Sequence, residues 1–173
     1  MVRYFIALIL LTASFHLRAQ VPLLYKEVAK ARQVPEAILY TLAFGESKIQ
    51  LQSGTIRPWP WTLNVKGQPY YYATRTEACQ ALKRKLQHTE LIDIGLTQLN
   101  WYWQKSHFSS PCEVFEPIVN LNHAAKILLE GKAKYGSWVK AAGYFHRPAG
   151  GLPARRYEAT FATHLEQLRR ATL

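Results

Sequence analysis

The chain has 173 residues, of which 49% are hydrophobic and 19% charged. This balance is typical of one globular domain and excludes a disordered or fibrous chain. The formal net charge is +11, which favours association with polyanions such as a cell wall, a membrane surface or nucleic acid. The basic clusters are short and no nucleic-acid motif surrounds them, so we expect no nucleic-acid partner.

Residues 1–19 have the pattern of an export signal. Arg3 precedes an apolar run from Tyr4 to Phe15, and the small residue Ala19 follows that run. This order is typical of a secretory signal peptide, and the run is too short to span a membrane comfortably. We predict cleavage after Ala19, leaving a domain over residues 20–173 with net charge +9 and no stable membrane span. An uncleaved N-terminal anchor is the alternative.

Helical periodicity dominates the remaining chain. A first helix is predicted from Pro22 to near Gln33, and Pro35 opens a second one. Residues 53–73 contain three prolines and two glycines, and "VKGQP" within them predicts a turn between short extended runs. Further helices are predicted over residues 74–87, where Thr74 and Glu77 have capping-box spacing, and over 120–135, 138–145 and 155–171. The sequence therefore predicts a mainly α single domain with a small β-hairpin or loop insert.

The chain has two cysteines, Cys79 and Cys112. An even number of cysteines in an exported protein favours a disulfide between them. The alternative is two separately buried thiols, because free cysteine also buries well.

The sequence predicts neither a metal site nor a cofactor. The histidines after the signal segment show no His-x-x-x-His spacing, and the cysteines no Cys-x-x-Cys spacing. No glycine-rich phosphate loop and no Gly-x-Ser-x-Gly nucleophile motif occurs.

Glu46 is the residue whose position indicates chemistry. In "AILYTLAFGESKIQ", the residues Ile38, Leu42 and Glu46 share one face of a helix, and no cation stands three or four residues from Glu46. A carboxyl group in an apolar setting can act as the acid that glycoside cleavage requires. The alternative is a glutamate at a helix end that faces solvent.

Three motifs follow one another along the chain: "LAFGES" (42–47), "DIGLTQLNW" (93–101) and "WVKAAGYFHRPAG" (138–150). They resemble the Glu-Ser, Gly-Leu-Met-Gln and Tyr-Asn motifs of the soluble lytic transglycosylases, relatives of goose-type lysozyme. The Trp-rich insert "PWPWTLNVKG" is similar to the variant found among proteins of conjugative elements. The resemblance extends from Val21 to Phe161.

The resemblance implies a lysozyme-like α fold and cleavage of the MurNAc–GlcNAc bond of peptidoglycan, with Glu46 acting as acid and then as base. The muramoyl 6-hydroxyl attacks the anomeric carbon, which leaves a 1,6-anhydro end. The resemblance also implies a periplasmic enzyme that needs no cofactor and opens the wall for a conjugation or secretion apparatus. The substrate-binding residues that it implies are Ser47, Gln98, Asn100, Tyr144, Phe145 and His146.

The chain departs from the family motifs at two positions. Thr97 replaces the methionine of the second motif, a change that we expect the packing to tolerate. Phe145 falls where the family has the tyrosine of the third motif, and phenylalanine has no hydroxyl to contact the glutamate. Either Tyr144 or His146 then supplies that contact, or the glutamate is oriented less firmly.

Aromatic residues of the insert are candidates for stacking on sugar rings. Trp59 and Trp61 have suitable flat faces, although packing of the hairpin over the core is the alternative. The residues after Asn100, up to Trp103, are expected to belong to the core rather than to a cleft.

Two other functions remain open at this point. A hydrolytic muramidase on the same scaffold would ordinarily need a second carboxylate, and Asp93, the only aspartate of the chain, is the candidate. A non-catalytic module that binds peptidoglycan through its basic charge is the alternative from another class, with Glu46 vestigial.

Overall fold

The computed structural model describes residues 20–172, so the predicted signal peptide lies outside it. The α-helices are α1 (Leu23–Arg32), α2 (Glu36–Ser47), α3 (Arg75–Leu86), α4 (Trp101–Gln104), α5 (Pro117–Tyr135), α6 (Trp138–His146) and α7 (Gly151–Thr172). The strands are β1 (Lys48–Gln50), β2 (Ile56–Pro58), β3 (Thr62–Val65), β4 (Gln68–Tyr71), β5 (Ile92–Ile94) and β6 (Leu99–Asn100). Two 3₁₀ turns cover Lys105–His107 and Pro111–Phe115. Among the residues described, no helix combines the length and the apolar composition needed to cross a membrane.

The predicted mainly α fold with a small β insert is confirmed. Two helices begin earlier than periodicity predicts, since prolines are well tolerated in the first turn of a helix. Helix α5 begins at Pro117 and α7 at Gly151, with Pro153 in its first turn. One half of the predicted capping box of α3 is present: the Thr74 hydroxyl accepts a hydrogen bond from the Glu77 amide at 3.2 Å, whereas the Glu77 carboxylate accepts one from the Ala73 amide rather than from that of Thr74.

The β insert is larger than a hairpin. Its predicted hairpin is formed by β3 and β4, whose turn residues Lys66 and Gly67 have the positive φ angles of 53° and 83° that tight hairpins favour. Strands β5 and β6 then join this hairpin in an antiparallel sheet of order β4-β3-β5-β6, and β1 pairs separately with β2. Strands as short as β5 and β6 show no alternation that periodicity could detect.

Two hydrophobic cores lie side by side. The helical core joins α1, α2, α5, α6 and α7, with fully buried residues such as Leu39, Leu42 and Leu128. The sheet core joins α3 to the four-stranded sheet, with Leu63 and Ile94 fully buried. The ring of Phe145 packs against both cores.

The predicted disulfide is confirmed. Cys79 and Cys112 are bonded, with their Cα atoms 5.2 Å apart, and the bridge ties α3 to the 3₁₀ turn before α5. It closes a loop of 33 residues, for which the entropic model gives about 3–4 kcal/mol of stabilisation.

Candidate active site

Glu46 lies in the last turn of α2, where the buried face of that helix leaves the core. Ile38 and Leu42 on this face are 3% and 0% exposed, whereas the Glu46 side chain is 15% exposed. Its oxygen Oε1 is buried and has no hydrogen-bond partner among the described residues. The face therefore ends in a carboxyl group that is mostly shielded from water but reaches a cavity.

That cavity is a cleft of about 720 Å³ with walls from both the helices and the sheet. The helices contribute Glu46, Phe145, His146 and the segment that follows them. The sheet and its loops contribute polar side chains. The main lining residues are Glu46, Asn64, Asp93, Gln98, Asn100, Trp103, Gln104, Phe145, His146 and Arg147.

The loop of the second motif is held in place by hydrogen bonds to the side chain of Asn120 on α5. The Asn120 side-chain carbonyl accepts hydrogen bonds from the Thr97 amide at 3.0 Å and from the Thr97 hydroxyl at 2.7 Å. Its amide group donates to the carbonyl oxygens of Ile94 and Val114, each at 3.1 Å. A Cβ atom on Gly95, whose φ is +80°, would lie 2.7 Å from this amide nitrogen. Thr97 thus has a buried hydroxyl with a bonded partner, where the motif that the chain resembles has methionine.

Ser47 connects this loop to the end of α2. Its hydroxyl donates to the Leu96 carbonyl at 2.6 Å, and Ser47 itself is only 2% exposed. The residue therefore lies beneath the cleft and fixes the distance between Glu46 and the loop.

Gln98 and Asn100, which the resemblance assigns to substrate, both line the cleft. Gln98 has a φ of +49°, an uncommon conformation for a residue other than glycine, and its side-chain amide donates to the Gly95 carbonyl at 2.8 Å. Backbone conformations of this kind cost about 1–3 kcal/mol and concentrate at functional sites. The strained backbone places the Gln98 side chain at the cleft surface.

A polar row crosses three strands of the sheet. Asn64, Asp93 and Asn100 stand opposite one another on β3, β5 and β6, and all three line the cleft. The Asn100 amide donates to Asp93 Oδ1 at 2.8 Å. Burial raises the pKa of Asp93, and the negative charge of Glu46 raises it further. The two carboxyl groups thus influence each other across the cleft.

The third motif brings His146 to Glu46. The distance from His146 Nδ1 to Glu46 Oε1 is 3.8 Å. Phe145 lines the cleft beside it. Tyr144 lies elsewhere, because its ring packs on Gly131 and 5.9 Å from the ring of Tyr135, in a small cavity that Glu46 does not line. Of the two candidates for a contact with the glutamate, the structure thus brings only His146 to it.

A hydroxyl group does lie beside Glu46, and it belongs to Tyr157 of α7. The Tyr157 ring stacks on His146 with ring centres 4.3 Å apart, and a Cβ atom on Gly45 would lie 3.5 Å from its hydroxyl oxygen. That oxygen is buried and makes no well-aligned hydrogen bond. Burial raises the pKa of Tyr157 well above its usual value, and the adjacent Glu46 carboxylate raises it further. The two groups therefore interact, although their alignment falls short of strict hydrogen-bond geometry.

The aromatic residues of the insert pack on one another. The rings of Trp59 and Trp61 meet edge to face with centres 5.4 Å apart, and the Trp59 indole donates to the Tyr72 carbonyl at 2.8 Å. Neither tryptophan lines the cleft.

Trp103 is the tryptophan that lines the cleft. The prediction that the residues up to Trp103 belong to the core is wrong for Tyr102 and Trp103, which are 45% and 70% exposed. It holds for Trp101, which is 9% exposed. Successive side chains on the single turn of α4 point about 100° apart, so they cannot share one environment.

Within residues 20–172, no group of three or more His, Cys, Asp or Glu side chains is placed to hold a metal ion.

Comparison of the chain with protein-family models, with curated proteins and with solved structures finds no match.

Proposed function

We propose that this protein is a periplasmic lytic transglycosylase that cleaves the MurNAc–GlcNAc bond of peptidoglycan. The observation that carries the proposal is the shielded Glu46 carboxyl group at the cleft, with Oε1 unpartnered and Tyr157 and His146 beside it. A general acid for glycoside cleavage needs this kind of partly desolvated position next to a substrate groove. The sequence motifs that resemble the family supply the reaction type.

The proposed reaction uses one carboxyl group twice. Glu46 first donates its proton to the glycosidic oxygen while the bond from that oxygen to the muramoyl C1 breaks. The 6-hydroxyl of the same muramoyl residue then attacks C1 and gives its proton to the Glu46 carboxylate. A 1,6-anhydro ring forms, the acid is regenerated, and no water is added.

We assign to Tyr157 the contact with the glutamate that the resemblance expects from a tyrosine at position 145. Phe145 cannot make that contact because it has no hydroxyl. Its hydroxyl lies next to Glu46 and can donate a hydrogen bond to the carboxylate that the first step produces. Such bonds are often long in an empty site and shorten when substrate binds. His146 stacks on Tyr157 and so holds its ring in place.

The rest of the cleft suits a glycan strand. Trp103 offers an exposed indole face, on which the CH face of a pyranose ring can lie. The amide groups of Gln98 and Asn100 provide donors and acceptors for hydroxyl and acetamido groups. The positive charge of the chain favours an anionic wall. Local wall opening for a conjugation or secretion apparatus is the use that we propose for this activity.

A hydrolytic muramidase is the second candidate, and Asp93 is the observation that favours it. Asp93 lines the same cleft as Glu46 and its pKa responds to the Glu46 charge. A hydrolase could use this carboxylate to activate a water molecule, as enzymes with two carboxylates do.

The test is mass spectrometry of the fragments that the purified protein releases from peptidoglycan sacculi. We expect muropeptides with 1,6-anhydro ends, which are lighter by one water than the reducing ends of a hydrolase. A predominance of reducing ends would establish the muramidase. Binding to sacculi without any released fragment would instead identify a non-catalytic wall-binding module.

A further inference from the structure

A second cavity lies on the other side of Glu46, between the end of α2 and α7. Its volume is about 480 Å³. Glu46 and His146 line both this pocket and the main cleft. The other lining residues include Lys48, Arg156, Tyr157, Thr160, Phe161 and His164. We call this cavity the α7 pocket.

The α7 pocket has an excess of positive charge. Lys48 and Arg156 line it, and Glu46 is its single carboxylate. The Lys48 ammonium group lies 3.4 Å from His164 Nε2, and burial together with Lys48 lowers the pKa of His164. His164 therefore tends to stay neutral and to accept a hydrogen bond from Lys48. In the described part of the chain, Arg156 forms no ion pair with any carboxylate.

The pocket also has buried polar atoms without partners. His164 Nδ1 is shielded from solvent and makes no hydrogen bond with the described residues, and the Tyr157 hydroxyl, which interacts with Glu46, makes no well-aligned one. Leaving a buried polar group unpaired is costly, and native structures do so rarely. Lys48 and Arg156 are exposed, so the buried polar atoms beside them are the observation that points to a ligand.

We infer that the α7 pocket binds a carboxylate of the acidic peptide on the muramoyl residue next to the scissile bond. This inference rests on the proposed function. The peptide leaves the muramoyl ring through the lactyl group on C3, close to the C1 atom on which Glu46 would act. Glu46 and His146 line both cavities, so the pocket adjoins the cleft at the residue that would act on C1. The Arg156 guanidinium matches a carboxylate with two parallel donors.

The first experiment compares two substrates: glycan strands that carry their peptides and strands from which an amidase has removed them. For the unmodified protein, we expect kcat/KM to be higher on the peptide-bearing strands. Arg156→Gln should lower the ratio of the two kcat/KM values about fivefold to tenfold, the loss of one charge-assisted contact. Arg155→Gln is the matched control, because this exposed neighbour on α7 loses the same charge but does not line the pocket. Equal losses on both substrates for Arg156→Gln would overturn the inference.

The second experiment measures binding without catalysis. The Glu46→Gln variant is titrated with the alanyl-γ-glutamyl dipeptide and with the same dipeptide in which both carboxylates are amidated, and amide chemical shifts are followed by NMR. We expect shifts at Thr160 and Phe161 with the acid only, and their loss in the double variant with Arg156→Gln. If the protein lyses both strand types equally and does not bind the dipeptide, the inference about the pocket is refuted while the proposed function stands. Peptide binding without lysis of either strand type would refute the proposed function but leave the pocket, and failure of both readouts would refute both.

Discussion

The polar groups on the two walls of the cleft differ in how fully they are hydrogen-bonded within the protein. On the helix wall, Glu46 Oε1 is buried without an aligned hydrogen bond, as is the Tyr157 hydroxyl behind it in the α7 pocket. On the sheet wall, the Gln98 and Asn100 amide groups donate hydrogen bonds and Asp93 accepts one, and Asn100 Oδ1 is the one atom of these side chains that is buried without a partner. An unpaired buried group costs about 1–3 kcal/mol, whereas a paired one holds its neighbours in place. The comparison indicates that the helix wall keeps groups ready for a ligand and the sheet wall keeps the shape of the groove.

This difference predicts opposite mutational effects. Substitutions on the helix wall should change activity with little effect on stability, because the groups concerned have few partners in the fold. Substitutions in the framework of the sheet wall should change stability first. Four variants test this contrast.

The largest effect is expected for Glu46→Gln. The change is nearly isosteric and removes the proton that the reaction transfers, so sacculus lysis should fall by about 10²–10⁴-fold or more while the far-UV circular dichroism is unchanged. Glu130→Gln on the exposed surface of α5 is the control and should lyse normally. Lysis by the Glu46 variant at a rate near that of the unmodified protein would refute every enzymatic function considered for this site.

Asn120→Ala should give the largest loss of stability. The substitution removes four hydrogen bonds and leaves buried groups of Thr97, Ile94 and Val114 unpaired. We expect the free energy of unfolding in urea to fall by about 2–4 kcal/mol. Asn122 lies on the same helix, but its side chain is bonded at the surface to Arg32 and Ile118. Asn122→Ala should therefore lower the free energy of unfolding by less than about 1 kcal/mol. Equal losses for the two variants would contradict the view that Asn120 is the anchor of the loop.

Tyr157→Phe should separate activity from stability. Loss of the hydroxyl next to Glu46 should lower kcat about tenfold, equivalent to one hydrogen bond to a carboxylate. The free energy of unfolding should stay within about 1 kcal/mol, because the hydroxyl has no aligned partner in the fold. Tyr144→Phe provides the comparison. A greater loss of kcat in that variant than in Tyr157→Phe would support the substrate-binding role that the resemblance implies for Tyr144.

The smallest effect is expected for Asp93→Asn. A transglycosylase needs no second carboxylate, because the attacking hydroxyl belongs to the substrate, and the new side chain can still accept the bond from Asn100. We therefore expect activity within about tenfold of the unmodified protein. An inactive but folded Asp93→Asn protein, together with reducing ends among the products, would favour the muramidase.

The sequence predicted the parts of the molecule that depend on local patterns. The i, i+4 spacing located Glu46 on the buried face of α2, and prolines and capping residues marked most helix boundaries within a few residues. Chain order placed Asp93 and Asn100 in one motif but could not show that they pair across β5 and β6. Short strands of this kind are defined by their partners rather than by their own pattern.

Contacts between distant segments could not be predicted in the same way. Tyr157 shares helical spacing with Phe161 and Leu165, and such spacing by itself indicates only the core face of a helix. Its position beside Glu46 depends on how α7 packs against α2, which no local signal records. The sequence likewise does not distinguish Trp59 from Trp103, because composition does not separate a tryptophan that packs on a hairpin from one at a groove.

The packing of α7 against α2 also has a consequence for the order in which the site is assembled. Glu46 belongs to the second and Tyr157 to the last of the described helices, so well over half of the described chain separates them. Contacts this distant in sequence form late, because the intervening chain must first be ordered. A chain that is synthesised from its N-terminus exposes the acid early but completes its surroundings only when α7 docks. Under the proposed function, full competence to cut a cell wall would thus arise only in the finished fold.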